Sequence, residues 1–329
     1  MAGTARIGAA VVASGALVLG SVAAAGPAAA TPARVASAAA SHRVAATSYL
    51  FLTVGSHKDR TFNQLLGINS NGKIAGYFGS GAKGHPNKGY TVRPPYSQSD
   101  FRSENFPGSK QTQVTGLNNH GVTVGFFSTQ NKASLVDDNI GFWAHNHHFH
   151  PIVFPTTDNS TPAVDQLLGV NDHRRAVGFY VNAAGNNRAY RFNIKTGNFH
   201  RVRIHGATGV VATGINNKGS ISGFFTDSGG NTHGFLLRRT GRLFILDAPG
   251  ATMTLAFGVN KHGEVVGAWT SGSESHGFTW TRQGGFQTVD DPNGIGTTVI
   301  NGIDKQGVLV GFYTNSNGNT KGMIAVPKN

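Results

Sequence analysis

The sequence predicts an all-β fold: a six-bladed β-propeller of four-stranded blades, closed by an N-terminal strand that joins the last blade. Three observations carry the prediction. One pattern, G-[aliphatic]-[N/D]-x-x-G-x-x-x-G-[F/Y/W], recurs from Gly67, Gly116, Gly169, Gly214, Gly258 and Gly302, at spacings of 49, 53, 45, 44 and 44 residues. A period of this length marks a propeller, a solenoid or an array. Each period holds four short runs rich in β-branched and aromatic residues, and none shows a 3.6-residue hydrophobic period over helical length. The last copy stops after its third run, at 322–326, whereas the chain's first such run, 48–54 (SYLFLTV), precedes every repeat. A strand from 48–54 in the vacant place closes the ring and removes exposed sheet edges, whereas a linear array would need polar caps, which are missing.

In chain order, residues 1–30 read as a signal peptide: Arg6 supplies a positive start, 7–25 is apolar, and Ala28-Ala29-Ala30 offers small residues for cleavage. Residues 31–46 are rich in Ala and Ser and read as a flexible leader. The propeller is expected over 47–329, with no membrane-spanning segment after the signal. The best copy, 258–292, places its four runs at 254–260, 264–270, 276–282 and 286–290. Between the first two, N-x-x-G reads as a tight hairpin in which Asn closes the turn and Gly takes positive φ. Asn69, Asn118, Asn171, Asn216, Asn260 and Asp304 are therefore turn formers. Arg174 stands where the third copy lacks this Gly, so a looser turn is expected there. The second run carries a Gly followed by aromatics, and the third a small residue followed by an aromatic, as in Gly234-Phe235 and Gly277-Phe278. Both read as packing between sheets.

Composition bounds the function. The chain has 46 glycines, 13% charged residues and a formal net charge of +13. Such a basic balance favours anionic partners, while the lack of any long Lys/Arg block argues against a specific nucleic-acid arm. With no cysteine, disulfides, Cys-ligated zinc and thiol catalysis are excluded.

His233-Gly234-Phe235 and His276-Gly277-Phe278, each following a GxNxxGxxxG stretch, resemble the bacterial extracellular HAF-type repeat family. The middle residue is Gly rather than Ala, and Lys88, Ile140, Arg188 and Lys321 replace the His in the other copies. The resemblance covers most of 62–326 and implies an exported repeat protein. It implies no activity and no catalytic residue.

The second-to-third loops (79–87, 129–139, 182–187, 227–232, 271–275 and 315–320) share one face with the connections between blades, and that face is the expected binding surface. Lys88, Arg188, His233, His276 and Lys321 occupy one repeat position at the start of the third strand and could form a broken cationic ring for an anionic ligand, or be solvated strand ends. Asp247 and Asp290, with Asp291, stand where outer strands leave adjacent blades; two carboxylates there could act as acid and base, or simply shape turns. His145, His147, His148 and His150 crowd the second blade's outer hairpin, a weak metal candidate without neighbouring carboxylates. The stretches 315–319 and 227–231 lack the carboxylates of calcium loops. No standard catalytic motif is present, and no cofactor is expected. The reading that results is a secreted or cell-surface monomer. It binds an anionic surface polymer or a protein through Lys88, Arg188, His233, His276, Lys321, Asp247 and Asp290. The alternative is a secreted hydrolase or lyase acting on a glycan or lactone.

Overall fold

The N-x-x-G hairpin repeats with little variation. In the first copy Asn69 Oδ1 accepts from Asn71 N and Lys73 N, both at 3.0 Å, and Gly72 takes a φ of 72°. The third copy does not have the looser turn expected of it. Asn171 Oδ1 accepts from His173 N and Arg175 N at 3.1 Å, and Arg174 N still donates to Asn171 O at 3.1 Å. These bonds hold Arg174 at a φ of 57°, a left-handed conformation that costs a non-glycine residue roughly 1–2 kcal/mol.

The computed structural model describes residues 47–129, 139–156 and 164–328. The expected signal peptide (1–30) and leader (31–46) lie outside these residues, as does most of the expected loop 129–139. Strand β1 is Tyr49–Thr53. Blade one comprises β2 Asn63–Ile68, β3 Ile74–Phe78, β4 Lys88–Val92 and the two-residue β5 Arg102–Ser103. Blade two comprises β6 Gln111–Leu117, β7 Val122–Ser128, β8 Ile140–His145 and β9 His148–Ile152. Blade three runs through β10 Asp165–Val170, β11 Arg175–Val181, β12 Asn187–Asn193 and β13 Asn198–Arg201. Blade four follows with β14 Gly209–Ile215, β15 Ile221–Thr226, β16 Thr232–Leu237 and β17 Leu243–Leu246. Blade five holds β18 Met253–Val259, β19 Val265–Ser271, β20 Glu274–Thr281 and β21 Gly285–Thr288. Blade six holds β22 Thr298–Ile303, β23 Leu309–Thr314 and β24 Thr320–Pro327, with β1 paired antiparallel to β24 from Tyr49↔Pro327 to Thr53↔Met323. In blade five the expected loop 271–275 is a two-residue turn, because Ser271 pairs with Glu274. Gly272, at a φ of 58°, makes that turn accessible.

The first glycine of each repeat has a second task. All six inner-strand pairs shift register at that point, from Leu65/Gly67 in blade one to Ile300/Gly302 in blade six. Each bulge bends the inner strand toward its neighbour. A Cβ on Gly67 would stand 3.1 Å from the Cα of Gly116, and so on through Gly169, Gly214, Gly258 and Gly302, whose Cβ would stand 3.2 Å from Gly67 Cα. The six glycines thus meet in a closed ring, where inner strands of neighbouring blades touch backbone to backbone.

The turn-forming Asn side chains also reach across blades. Asn69 Nδ2 donates to Asn118 O, Asn118 to Asn171 O, Asn171 to Asn216 O and Asn216 to Asn260 O, at 2.8–3.0 Å. Asn260 instead donates to its own blade's Glu264 at 3.0 Å, and Asp304 has no amide to give.

The cores lie between blades. Tyr90, Phe142, Tyr190, Phe235, Phe278 and Met323, all from third strands, are at most 2% exposed. Phe142 packs with Ala75 of the preceding blade, and Tyr90 with Val310 and Ile324 of blade six. Tyr49 and Phe51 of β1 cover the cluster of Ile300, Leu309 and Met323.

Candidate functional site

Each third strand starts beside the connection into the next blade: Ser275 and Thr297 form a parallel bridge, as do Phe62 and Thr320. The cationic residues predicted at this position lie along that seam. Lys88 Nζ donates to Lys110 O at 3.0 Å, Arg188 Nη1 to Thr208 O at 3.0 Å, and Lys321 Nζ to Arg60 O at 2.5 Å. Each acceptor belongs to the chain entering the following blade, so these side chains tether neighbouring blades and keep their remaining donors at the rim. Partial burial, with the charge of Lys110, lowers the Lys88 ammonium pKa.

In blades four and five the same position carries a histidine held by acids. His233 Nδ1 lies 2.8 Å from Asp247 Oδ1, and its Nε2 lies 3.3 Å from Asp227 Oδ2. His276 Nδ1 lies 2.8 Å from Asp290 Oδ2, its Nε2 faces Glu274 at 3.6 Å, and Trp269 stacks on its ring at 4.4 Å. Burial alone would lower the His233 pKa; the bonds to Asp247 and Asp227 outweigh it and raise the pKa above its ordinary value. Asp227 is pulled down to about 2, first by the side chain and backbone of Asn231. Both nitrogens of His233 are thereby committed, so neither is open to take a proton from a substrate. Asp247 and Asp290 do not pair with each other; each is bonded within its own blade. Asp291 is buried and closes a turn by accepting from Asn293 N at 2.9 Å.

The second-blade histidines do not converge. His145 pairs with His148 across a hairpin whose turn residues Asn146 and His147 have φ of 52° and 61°. His150 stacks on Trp143 at 3.9 Å, and His147 Nδ1 reaches Glu104 at 3.4 Å. Among the described residues, no group of three or more His, Asp or Glu side chains is placed to hold a metal.

Sequence reasoning passed over two features. Asp165 is buried at the start of β10, where it accepts from Tyr190 OH and, at 2.6 Å, from Phe154 N; burial pushes its pKa up to about 7. A cleft of 460 Å³ lies where β1 leads into blade one, and its lining includes His57, Arg60, Gln98 and Lys321. Its hints in the sequence are Lys321 and the run of basic residues in GSHKDRTF between β1 and β2.

The fold is similar to those of solved structures. The structure of a putative TolB from Agrobacterium tumefaciens aligns with a TM-score of 0.53 at 10% identity, covering 86% of this chain and 99% of that one. TolB from Acinetobacter baumannii aligns at 0.50 and 14% identity, covering 73% of this chain and 54% of that one, so the match spans about half the length of the Acinetobacter protein. At such identities the likeness establishes the propeller fold and not the chemistry. No family model and no curated protein matches the chain. Among the described residues, no helix is long and apolar enough to cross a membrane.

Proposed function

We propose that this chain is an exported, non-enzymatic binding module that engages an anionic polymer through the face carrying its second-to-third loops. The observation that carries the reading is the division of charge on that face. Blades six, one and three present Lys321, Lys88 and Arg188, each using a single donor to hold the backbone. Carboxylates gather at blades four and five, where His233 and His276 engage Asp227, Asp247, Glu274 and Asp290. The net charge of +13 adds long-range attraction for polyanions. The His233 ring, with Asp247 on Nδ1 and Asp227 on Nε2, supports binding over hydrolysis at blade four, since a general base needs a free nitrogen beside its substrate. The signal-like 1–30 segment supports export, and a monomeric state is part of the same reading. The HAF-type motifs are in keeping with an extracellular setting.

The test is retention of the purified protein on anionic cell-wall polymer or polysaccharide across a salt series. Retention at low salt that is lost toward about 1 M, where the screening length falls to about 3 Å, is the expected outcome. Absent retention, or retention indifferent to salt, refutes the electrostatic reading.

A further inference from the structure

We infer that the cleft at the ring-closing seam is a dedicated oxyanion site, taking a phosphate or carboxylate group of the polymer; this deepens the binding reading above and rests on it. The cleft is formed by the end of β1, the 55–62 connection, the start of β24 and the loop before β5. Its 460 Å³ falls within the usual range for small-ligand sites, about 300–1,000 Å³.

The connection is held rigidly. Gln98 accepts from His57 N and donates to Gly55 O, each at 2.9 Å. Asn63 accepts from Ser56 N at 2.7 Å and donates to Asp59 O at 2.5 Å. Gly55 is required here because a Cβ would fall 2.8 Å from Asn63 Cγ. A loop fixed in this way loses little conformational entropy on binding.

These same bonds decide the ligand's chemistry. The amides of Gln98 and Asn63 are spent on the loop, Tyr96 OH donates to Gly72 O at 2.8 Å, and Thr53 Oγ1 shares a bond of 2.9 Å with Tyr313 OH. A neutral sugar would find few hydroxyl partners. Apart from the buried Ser56 hydroxyl, which accepts from Lys58 N at 3.3 Å, the side-chain donors left for a ligand are cationic or imidazole groups: the Arg60 guanidinium and the His57 ring have no side-chain partner among the described residues, and Lys321 Nζ makes one bond to protein. No carboxylate lines the cleft. Asp59, the acid of this connection, is engaged by Thr61 Oγ1 at 2.6 Å and His85 Nδ1 at 2.9 Å. An uncompensated guanidinium beside an ammonium, on a fixed backbone, is suited to an oxyanion.

Calorimetric titration with inorganic phosphate and, separately, with D-glucuronate tests the site and distinguishes the two sources of the oxyanion. At low salt at least one anion should bind, and Arg60→Ala should weaken that binding by about tenfold or more, as for loss of one charge-assisted contact. Lys195→Ala, an exposed cation in the turn between β12 and β13, should bind as the wild type does. Because the Arg60 side chain makes no bond to the protein, the variant should keep the wild-type melting temperature, so lost binding cannot be ascribed to unfolding. The inference is overturned if neither anion binds, or if Arg60→Ala and Arg60→Glu bind as tightly as the wild type. Small-anion binding that depends on Arg60, without retention on polymer, upholds the cleft and refutes the wider reading. Polymer retention that survives Arg60→Glu but falls with Arg188→Ala does the reverse.

Discussion

Asp165 opens the first strand of blade three with both carboxylate oxygens occupied, one by Tyr190 and one by Phe154 N. Burial nevertheless dominates and pushes its pKa up to about 7 from an ordinary 3.8. A raised acid pKa means that the folded state favours the protonated form. Its contribution to stability is therefore complete below about pH 4 and declines as pH rises to about 7, then stays level. At about 1.4 kcal/mol per pKa unit, the whole effect is on the order of 4 kcal/mol. Asp165→Asn can keep both contacts, with Oδ1 accepting from Phe154 N and Nδ2 donating to Tyr190. Urea unfolding at pH 5 and pH 8 should show the wild type losing stability between the two, with a clearly smaller loss in Asp165→Asn. Equal losses would mean that Asp165 does not titrate in this range. The residue went unremarked in the sequence because an Asp at a strand start looks like any turn acid; only the packing of Phe154 and Tyr190 around it reveals the burial.

The inner strand is the element on which the ring depends, and its bulge glycine is the residue that other side chains cannot replace. Gly169 has no positive φ to require glycine, but a Cβ there would meet Thr213 O at 2.7 Å and Gly214 Cα at 3.1 Å. Backbone on both sides leaves nothing flexible to move aside. Gly169→Ala should destabilise the protein by about 1–3 kcal/mol, the usual range for overpacking. Gly185 provides the contrast: at a φ of 78° it faces open space, so Gly185→Ala should show only the left-handed strain of roughly 1–2 kcal/mol. Unfolding midpoints compare the two directly, and a smaller effect at Gly169 would contradict the backbone contact. Strand order and the turn role of the N-x-x-G asparagines were legible from spacing and residue type. The contact between glycines of neighbouring blades was not, because it joins residues 44–53 positions apart or, for Gly302 and Gly67, 235 apart.

Across the whole molecule, the amide ladder that joins blades one to five stops at blade six. Asn260 turns to Glu264, and Asp304 has no donor to offer Asn69 O. Burial, although offset by the bonds from Val308 N and Gln306 N, raises the Asp304 pKa, so this end of the ring holds an ill-solvated acid where the other blades hold an amide. Asp304→Asn should extend the ladder to blade one and stabilise the protein by about 1 kcal/mol, the net worth of one hydrogen bond, read as a higher melting temperature at neutral pH. An unchanged or lower melting temperature would show that the ladder contributes nothing at this junction. The last blade is still joined to the first by Asn301 Nδ2, which donates to Leu65 O at 2.9 Å, by the Gly302–Gly67 contact and by the core of Tyr90, Val310 and Ile324, and the proposed oxyanion cleft lies at that same junction.

Repetition is local information, and it determined a great deal: six copies, four strands in each of the first five and three in the last, a hairpin closed by Asn or, in the last copy, Asp, and an aromatic in the third strand of the first five can all be read from spacing and residue type. The candidate positions at the start of the third strand were visible for the same reason, since a repeat marks its own variable sites. What those positions bond to was decided only in three dimensions. Whether Lys321 or His233 keeps a free donor depends on which carbonyl or carboxylate the neighbouring connection brings to it, and that partner lies 14 residues away for His233 and 261 for Lys321. His57 and Arg60 lay outside the repeat and had no register by which to be compared. They became a site only when the first strand of the chain closed against the last blade.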